Sequence, residues 1–322
     1  MEYRILPNTR LKLSLLSLGT MMFGGQTSET DSLKIMDYAF DQGINLFDTA
    51  NRYNEGESER VVGKGLKGRR SEIILASKVF HQMGNNPNDS GLSRRNILAS
   101  CDASLKRLDT DYLDIYYMHA PDYNTALEET LEAMTSLVKA GKIRYIGISN
   151  FAAWQMADVL AICDKRNYIA PIITQNVYNL ITRTIESELI PFLDAHPIGM
   201  TVYNPIAAGL LVGKHQPGKP AEDTRFASNQ MYYDRYWSDE NFIAVEKIAK
   251  ISADHGLSML QLAMKWCLAQ SKVTNIITGV SRLAQLEQNI ASVEGEPLSA
   301  DILEACDEVW KSLAGTRYKY NR

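Results

Sequence analysis

Six apolar runs of this chain end on side chains that suit acid–base chemistry. INLFD ends at Asp48, IILASK at Lys78 and YLDIYYMH at His119. IRYIGIS leads to Ser149-Asn150, IITQN ends at Gln175-Asn176, and GMTVYN ends at Tyr203-Asn204. Tyr53 follows Asp48 by five residues. A phenol with a pKa of about 10 is a reluctant acid at neutral pH. An ammonium beside it favours the phenolate and lowers that pKa, so Lys78 is expected to lower the pKa of Tyr53. Asp48 would hold Lys78 charged and in place. His119 could donate a hydrogen bond to a carbonyl oxygen or join a proton relay. Donors arranged in advance act where charge develops on that oxygen. No side chain delivers a hydride, so reduction of the carbonyl calls for a nicotinamide cofactor.

These groups can meet only if the runs are neighbouring strands of one closed sheet. Eight runs of strand length are present: LLSLGT, INLFDT, IILASK, YLDIYYMH, IRYIGIS, IITQN, GMTVYN and TNIITG. Helix-period stretches separate them, among them SLKIMDYAFDQG, SRRNILASCDASLKRL, ALEETLEAMTSLVKAG and IESELIPFLDAH. Alternating β and α segments imply parallel strands with crossover helices. Eight units favour a (β/α)8 TIM barrel over an open sheet, and barrel sites lie at the C-terminal ends of the strands. In an open sheet the same residues would spread along an edge. EYRIL and LKLS around Pro7-Asn8 read as an N-terminal β-hairpin. Ser299–Leu313 reads as an extra C-terminal helix capped by Ser299. The stretch from Ala207 to Ser238 has little periodicity and reads as a long loop over the site. No linker divides residues 1–322, so one barrel domain is expected.

Composition narrows the partners. The chain is 45% hydrophobic and carries a net charge of −4, so no global basic field recruits nucleic acid or an anionic membrane. No apolar run is long enough to span a bilayer, and no signal peptide is seen. Cys101, Cys163, Cys267 and Cys306 are isolated in sequence, which points to buried reduced thiols and a cytoplasmic setting. No H-x-H or H-E-x-x-H occurs among the five histidines, so no metal is expected. Nothing in the sequence specifies an oligomeric state.

Two glycine-rich stretches imitate nucleotide sites. Gly63–Gly68 matches G-x-G-x-x-G but sits toward the C-terminal end of a helix, where the dipole repels phosphate. Gly213–Lys219 nearly matches a P-loop, but Pro220 stands where a hydroxyl is required.

The stretch NLFDTANRYNEGESERVVGKGL resembles the aldo-keto reductase signature. ILASKV, IYYMHAPD, GKIRYIGISNF and ITGVSRLAQLEQN are similar to later motifs of that family, in the family's order. The resemblance implies a catalytic tetrad of Asp48, Tyr53, Lys78 and His119. It implies that Ser149, Asn150 and Gln175 hold a nicotinamide carboxamide and that Tyr203 stacks on its ring. The cofactor implied is NADPH/NADP+, preferred over NADH, with Ser281 and Arg282 on the 2′-phosphate and Gln285 and Asn289 at the adenine ribose and base. A forked guanidinium at a helix start is an apt phosphate partner. Gly19, Thr20, Met21, Asn204, Pro205 and Gly209 are further cofactor candidates. So are Leu211, Gly213, Lys214, Arg225, Gly279 and Gln288. Phe23, Phe80, His81, Tyr123, Tyr178 and Trp237 are the candidate wall for a small-molecule carbonyl substrate. The reaction implied is reduction of an aldehyde or ketone. The alternatives are a redox-sensing regulatory subunit with little turnover, and an aryl-alcohol or sugar dehydrogenase running oxidatively.

Overall fold

The computed structural model describes residues 1–222 and 224–315, with the side chains of Arg225 and Ser228 set aside. β1 (Tyr3–Ile5) and β2 (Lys12–Ser14) form the antiparallel hairpin. Eight parallel strands then close into a barrel: β3 (Leu16–Gly19), β4 (Leu46–Asp48), β5 (Ile74–Val79), β6 (Leu113–Met118), β7 (Ile143–Ser149), β8 (Ile173–Val177), β9 (Gly199–Tyr203) and β10 (Val273–Gly279). All eight runs read from the sequence are barrel strands.

Helices return the chain between strands: α1 (Glu29–Asp41), α2 (Glu57–Gly65), α3 (Arg94–Leu108), α4 (Leu127–Lys139), α5 (Ala153–Arg166) and α6 (Leu189–Ala195). Ser28 and Ser93 cap α1 and α3 by accepting backbone N–H bonds, as N-cap hydroxyls do. The stretch read as one helix before β9 is divided. A 3-10 turn at Thr184–Ser187 precedes α6, and the break falls at Glu188 with φ −138° and ψ −46°.

The stretch after β9 is more ordered than its sequence suggests. It holds a 3-10 turn (Ala207–Val212), then α7 (Arg225–Ser228) and α8 (Gln230–Tyr236). Phe226, Tyr232 and Tyr236 are buried there and anchor the segment. α9 (Asp239–Asp254), α10 (Met259–Ala269), α11 (Leu283–Ser292) and α12 (Ala300–Ala314) complete the chain. Ser299 stands at the N-cap of α12, but its side chain accepts no backbone bond. Among the described residues no helix is long and apolar enough to cross a membrane.

Alternation along the strands divides the barrel interior into two levels. Side chains two apart share a face. Leu46, Ile74, Ala76, Ile115, Tyr117 and Ile173 form one apolar cluster with Leu6 and Leu13 of the hairpin region, which plug the bottom. The next residues on the same faces are Asp48, Lys78, His119 and Gln175. Register sets their height: Asp48 lies beside Gly19 and Ala76, and Ser149 beside Gln175. Gly147 leaves room for a neighbour, since a Cβ there would lie 2.4 Å from the Tyr117 ring. The larger core lies between strands and helices. Gly63 and Gly65, the false nucleotide motif, are packing glycines of α2, with a Cβ at Gly63 falling 2.5 Å from the Leu108 carbonyl oxygen.

Candidate active site

The tetrad candidates meet at the C-terminal rim. Lys78 is fully buried and donates to the Asp48 carboxylate, to the Thr49 carbonyl at 2.8 Å, and to Tyr53 Oη at 3.4 Å. Asp48 also accepts from Gln175 Nε2 at 2.9 Å. The Tyr53 and His119 rings meet edge to face at 6.0 Å. His119 Nδ1 is buried without a hydrogen-bond partner among the described residues.

Local chain geometry places Tyr53. Asn54, Glu55 and Gly56 take successive left-handed conformations with φ of 47°, 56° and 92°. The Asn54 side chain donates to the carbonyls of Met21 at 3.0 Å and Phe23 at 2.8 Å, which ties this turn to the loop after β3. A set of buried hydroxyls lies behind the site. Ser58 Oγ donates to the Thr20 carbonyl, and Thr20 Oγ1 donates to the Asp48 carbonyl. Glu59 is also buried, between Ser77 and Arg107. None of Thr49, Ser58 and Glu59 stood out in the sequence, where helical Ser and Glu read as solvated.

Electrostatics set the protonation states. Burial raises the Tyr53 pKa; Lys78 opposes this, and the net direction is upward. The expectation of a lowered phenol is corrected: the ammonium acts with the expected sign, but desolvation of the phenolate is larger. For Lys78 burial acts downward, but Asp48 and Tyr53 outweigh it and the pKa rises. Burial, then Lys78 and His81, hold His119 well below the ordinary histidine value, so it is neutral at pH 7.

The fully buried Lys78 lies behind Asp48, Tyr53 and His119, which line a cavity of about 1390 Å³. Its wall includes Gly19, Thr20, Met21, Ser149, Asn150, Gln175, Tyr203, Asn204, Pro205, Gly209 and Lys214. It continues to Gly279, Ser281, Gln285, Gln288 and Asn289. Tyr203 Oη donates to Asn150 Oδ1 at 2.7 Å, and Ser149 Oγ to the Gln175 carbonyl at 2.9 Å. Asn150 and Asn204 take φ of 62° and 59°, a region asparagine tolerates.

Several candidates lie off this wall. Leu211 is fully buried in the core. Gly213 turns the chain at φ 74°, against Met259. Arg282 is exposed at the N-cap of α11. Its backbone N–H and that of Ser281 donate to Gln285 Oε1, at 3.2 and 2.8 Å, so Gln285 caps the helix. The Arg225 side chain lies outside the described residues.

The proposed aromatic wall is corrected most. Only His81 of the six lines the cavity, packed 4.8 Å from His119. Phe23 and Tyr178 are buried in the core, where the Tyr178 ring packs at a tilt on Trp266 with centroids 5.0 Å apart. Phe80 packs between His81 and the core. Tyr123 is 79% exposed. Trp237 stands one layer back, against His215 and Phe226. The buried ones among them pack in the core, and His215, Met231, Met259 and Tyr232 supply wall positions instead. The cysteines are buried and free, as read.

A cavity of this size exceeds the ~300–1,000 Å³ of ordinary small-molecule sites and has room for a dinucleotide and a carbonyl compound together. Gly279 supports the fit: a Cβ there would meet no atom within 4 Å, so bare backbone faces open space.

A closed parallel barrel with an Asp, a Lys, a Tyr and a His gathered at its C-terminal rim defines a TIM-barrel oxidoreductase. The chain belongs to the aldo/keto reductase family, whose sequence profile matches residues 15–311. As a member it is an NAD(P)H-dependent oxidoreductase, and carbonyl reduction is supported at the level of the family. It is 35% identical to "Probable voltage-gated potassium channel subunit beta" of Arabidopsis thaliana over 320 residues, 97% of each chain. It is 35% identical to "Uncharacterized oxidoreductase YrpG" of Bacillus subtilis over 326 residues, 98% of each. It is 33% identical to "Aflatoxin B1 aldehyde reductase member 2" of Rattus norvegicus over 316 residues, 92% of this chain and 84% of the relative.

Proposed function

We propose that this chain reduces an aldehyde or ketone to the alcohol with NADPH, and that Tyr53 donates the proton. One observation carries the reading: Tyr53 Oη stands 3.4 Å from a buried, ion-paired Lys78 at the end of a dinucleotide-sized cavity. Bound NADPH supplies the hydride. Tyr53, kept protonated by burial, has a proton to give. Lys78 stabilises the phenolate left behind, and Asp48 keeps Lys78 in place. Neutral His119 donates a hydrogen bond to the carbonyl oxygen. Ser149, Asn150 and Gln175 would hold the carboxamide and Tyr203 would stack on the ring. Lys214, Ser281 and Arg282 would meet the phosphates.

The test is NADPH consumption across a panel of aldehydes and ketones, followed by pH. Turnover is expected, with kcat/KM flat between about pH 6 and 8. The histidine pKa lies below that window and the phenol pKa above it. Absence of turnover, or a limb near pH ~6.5 that vanishes in His119→Asn, contradicts the assignment.

Relatives named as potassium channel subunits favour a second reading, a cofactor-binding regulatory subunit with slow turnover. The same panel separates the two. Arg282→Ala is expected to weaken NADPH by about 10- to 100-fold, as for a charged hydrogen bond. NADH should be nearly unaffected. Fluorescence titration with both cofactors measures this, and equal losses would remove Arg282 from the 2′-phosphate.

A further inference from the structure

The charge on the cavity wall is lopsided. Among the described lining residues the cations are Arg52, Lys214 and Arg235. The one carboxylate there is Asp48, and Lys78 already neutralises it. Lys214 has a use in the proposed function, at cofactor phosphate. Arg52 and Arg235 have none.

Both guanidinium groups stand at the reacting end. Arg52 precedes Tyr53 in the chain. Its charge acts on His81, whose ring packs against His119. Burial, then Arg52, lower the His81 pKa, so the ring favours its neutral, hydrogen-bonding form. Arg235 lines the cavity from α8. Its charge acts on Tyr203, which donates to Asn150. Among the described residues neither arginine is paired with a buried carboxylate. Arg52 reaches Glu55 at 3.4 Å, but Glu55 is 84% exposed, and such contacts are worth little in water. Arg235 hydrogen-bonds the Tyr203 and Tyr236 hydroxyls and lies 6.0 Å from the Tyr236 ring, all uncharged partners. Two forked cations on one cleft wall focus positive potential, and their geometry matches planar or tetrahedral oxyanions.

We propose that the substrate is an aldehyde or ketone carrying an anionic group, a carboxylate or a phosphate, which Arg52 and Arg235 hold while the carbonyl faces Tyr53. This rests on the carbonyl-reductase reading above.

The test compares two pairs in NADPH-consumption assays: the near-isosteric 4-carboxybenzaldehyde and 4-carbamoylbenzaldehyde, and glyceraldehyde 3-phosphate against unphosphorylated glyceraldehyde. The anionic member of at least one pair is expected to have about tenfold higher kcat/KM, mainly through KM, which corresponds to ~1.4 kcal/mol. The preference should shrink as salt is raised. In Arg52→Gln and Arg235→Gln the anionic-to-neutral ratio should fall toward one, and Arg52→Lys should keep part of it. A ratio near one in both pairs for the unaltered protein overturns the inference and leaves carbonyl reduction standing. So does a preference that survives both glutamine variants. If no carbonyl compound is reduced at all, the proposed function falls and takes this inference with it.

Discussion

Tyr53→Phe is expected to lower kcat for aldehyde reduction by about 10²- to 10⁴-fold, the range for loss of a positioned general acid. The substitution removes one oxygen and keeps the ring. That ring packs on His119 at 6.0 Å and lies under the Lys78 ammonium at 5.0 Å, so its packing survives. Lys78 keeps its bonds to Asp48 and Thr49. The cofactor wall from Gly19 to Asn289 is untouched. NADPH should therefore bind within about threefold of the unaltered protein, since the lost bond at 3.4 Å is weak. Stopped-flow reduction and fluorescence titration separate the two quantities. Turnover near the normal rate would mean that water or His119 supplies the proton. Loss of cofactor binding in parallel would mean that Tyr53 shapes the cavity instead.

The sequence showed the barrel and the tetrad for the same physical reason. Strand side chains alternate, so an apolar run ending on Asp48, Lys78 or His119 places that residue one level above an apolar layer. The layer exists: Leu46, Ala76 and Tyr117 stand directly below these three on the same strands. What stayed hidden depends on burial or on distant partners. The rise in the Tyr53 pKa comes from desolvation, which no local pattern records. Glu59 looks like a solvated helical residue until Arg107, from α3, closes on it at 2.6 Å. The substrate wall misled because aromatic residues serve loop anchoring as readily as recognition. Tyr178 donates to Glu186 and packs on Trp266, which fixes it in the core. Arg52 was passed over because an arginine beside an acidic loop reads as ordinary surface.

Lys78→Met carries the other large effect, and it should separate catalysis from stability. Lys78 is fully buried, and its partner Asp48 is 3% exposed. Removing one member of a buried pair leaves an uncompensated charge and costs about 3–5 kcal/mol. Gln175 Nε2 remains as a donor to Asp48, and protonation of the carboxyl could relieve part of the cost. A fall in Tm on the order of 10 °C is expected for a chain of this length. Activity should fall as well, because the Tyr53 phenolate loses its counter-charge and burial alone remains to act on it. The double variant Asp48→Leu/Lys78→Met removes both charges. Buried pairs replaced by apolar side chains are often neutral or stabilising, so much of the lost Tm should return. Turnover should not return. If the double variant regained activity with its stability, the ammonium would be a structural element with no part in proton transfer. If Lys78→Met melted like the unaltered protein, the buried ion pair would be no determinant of stability.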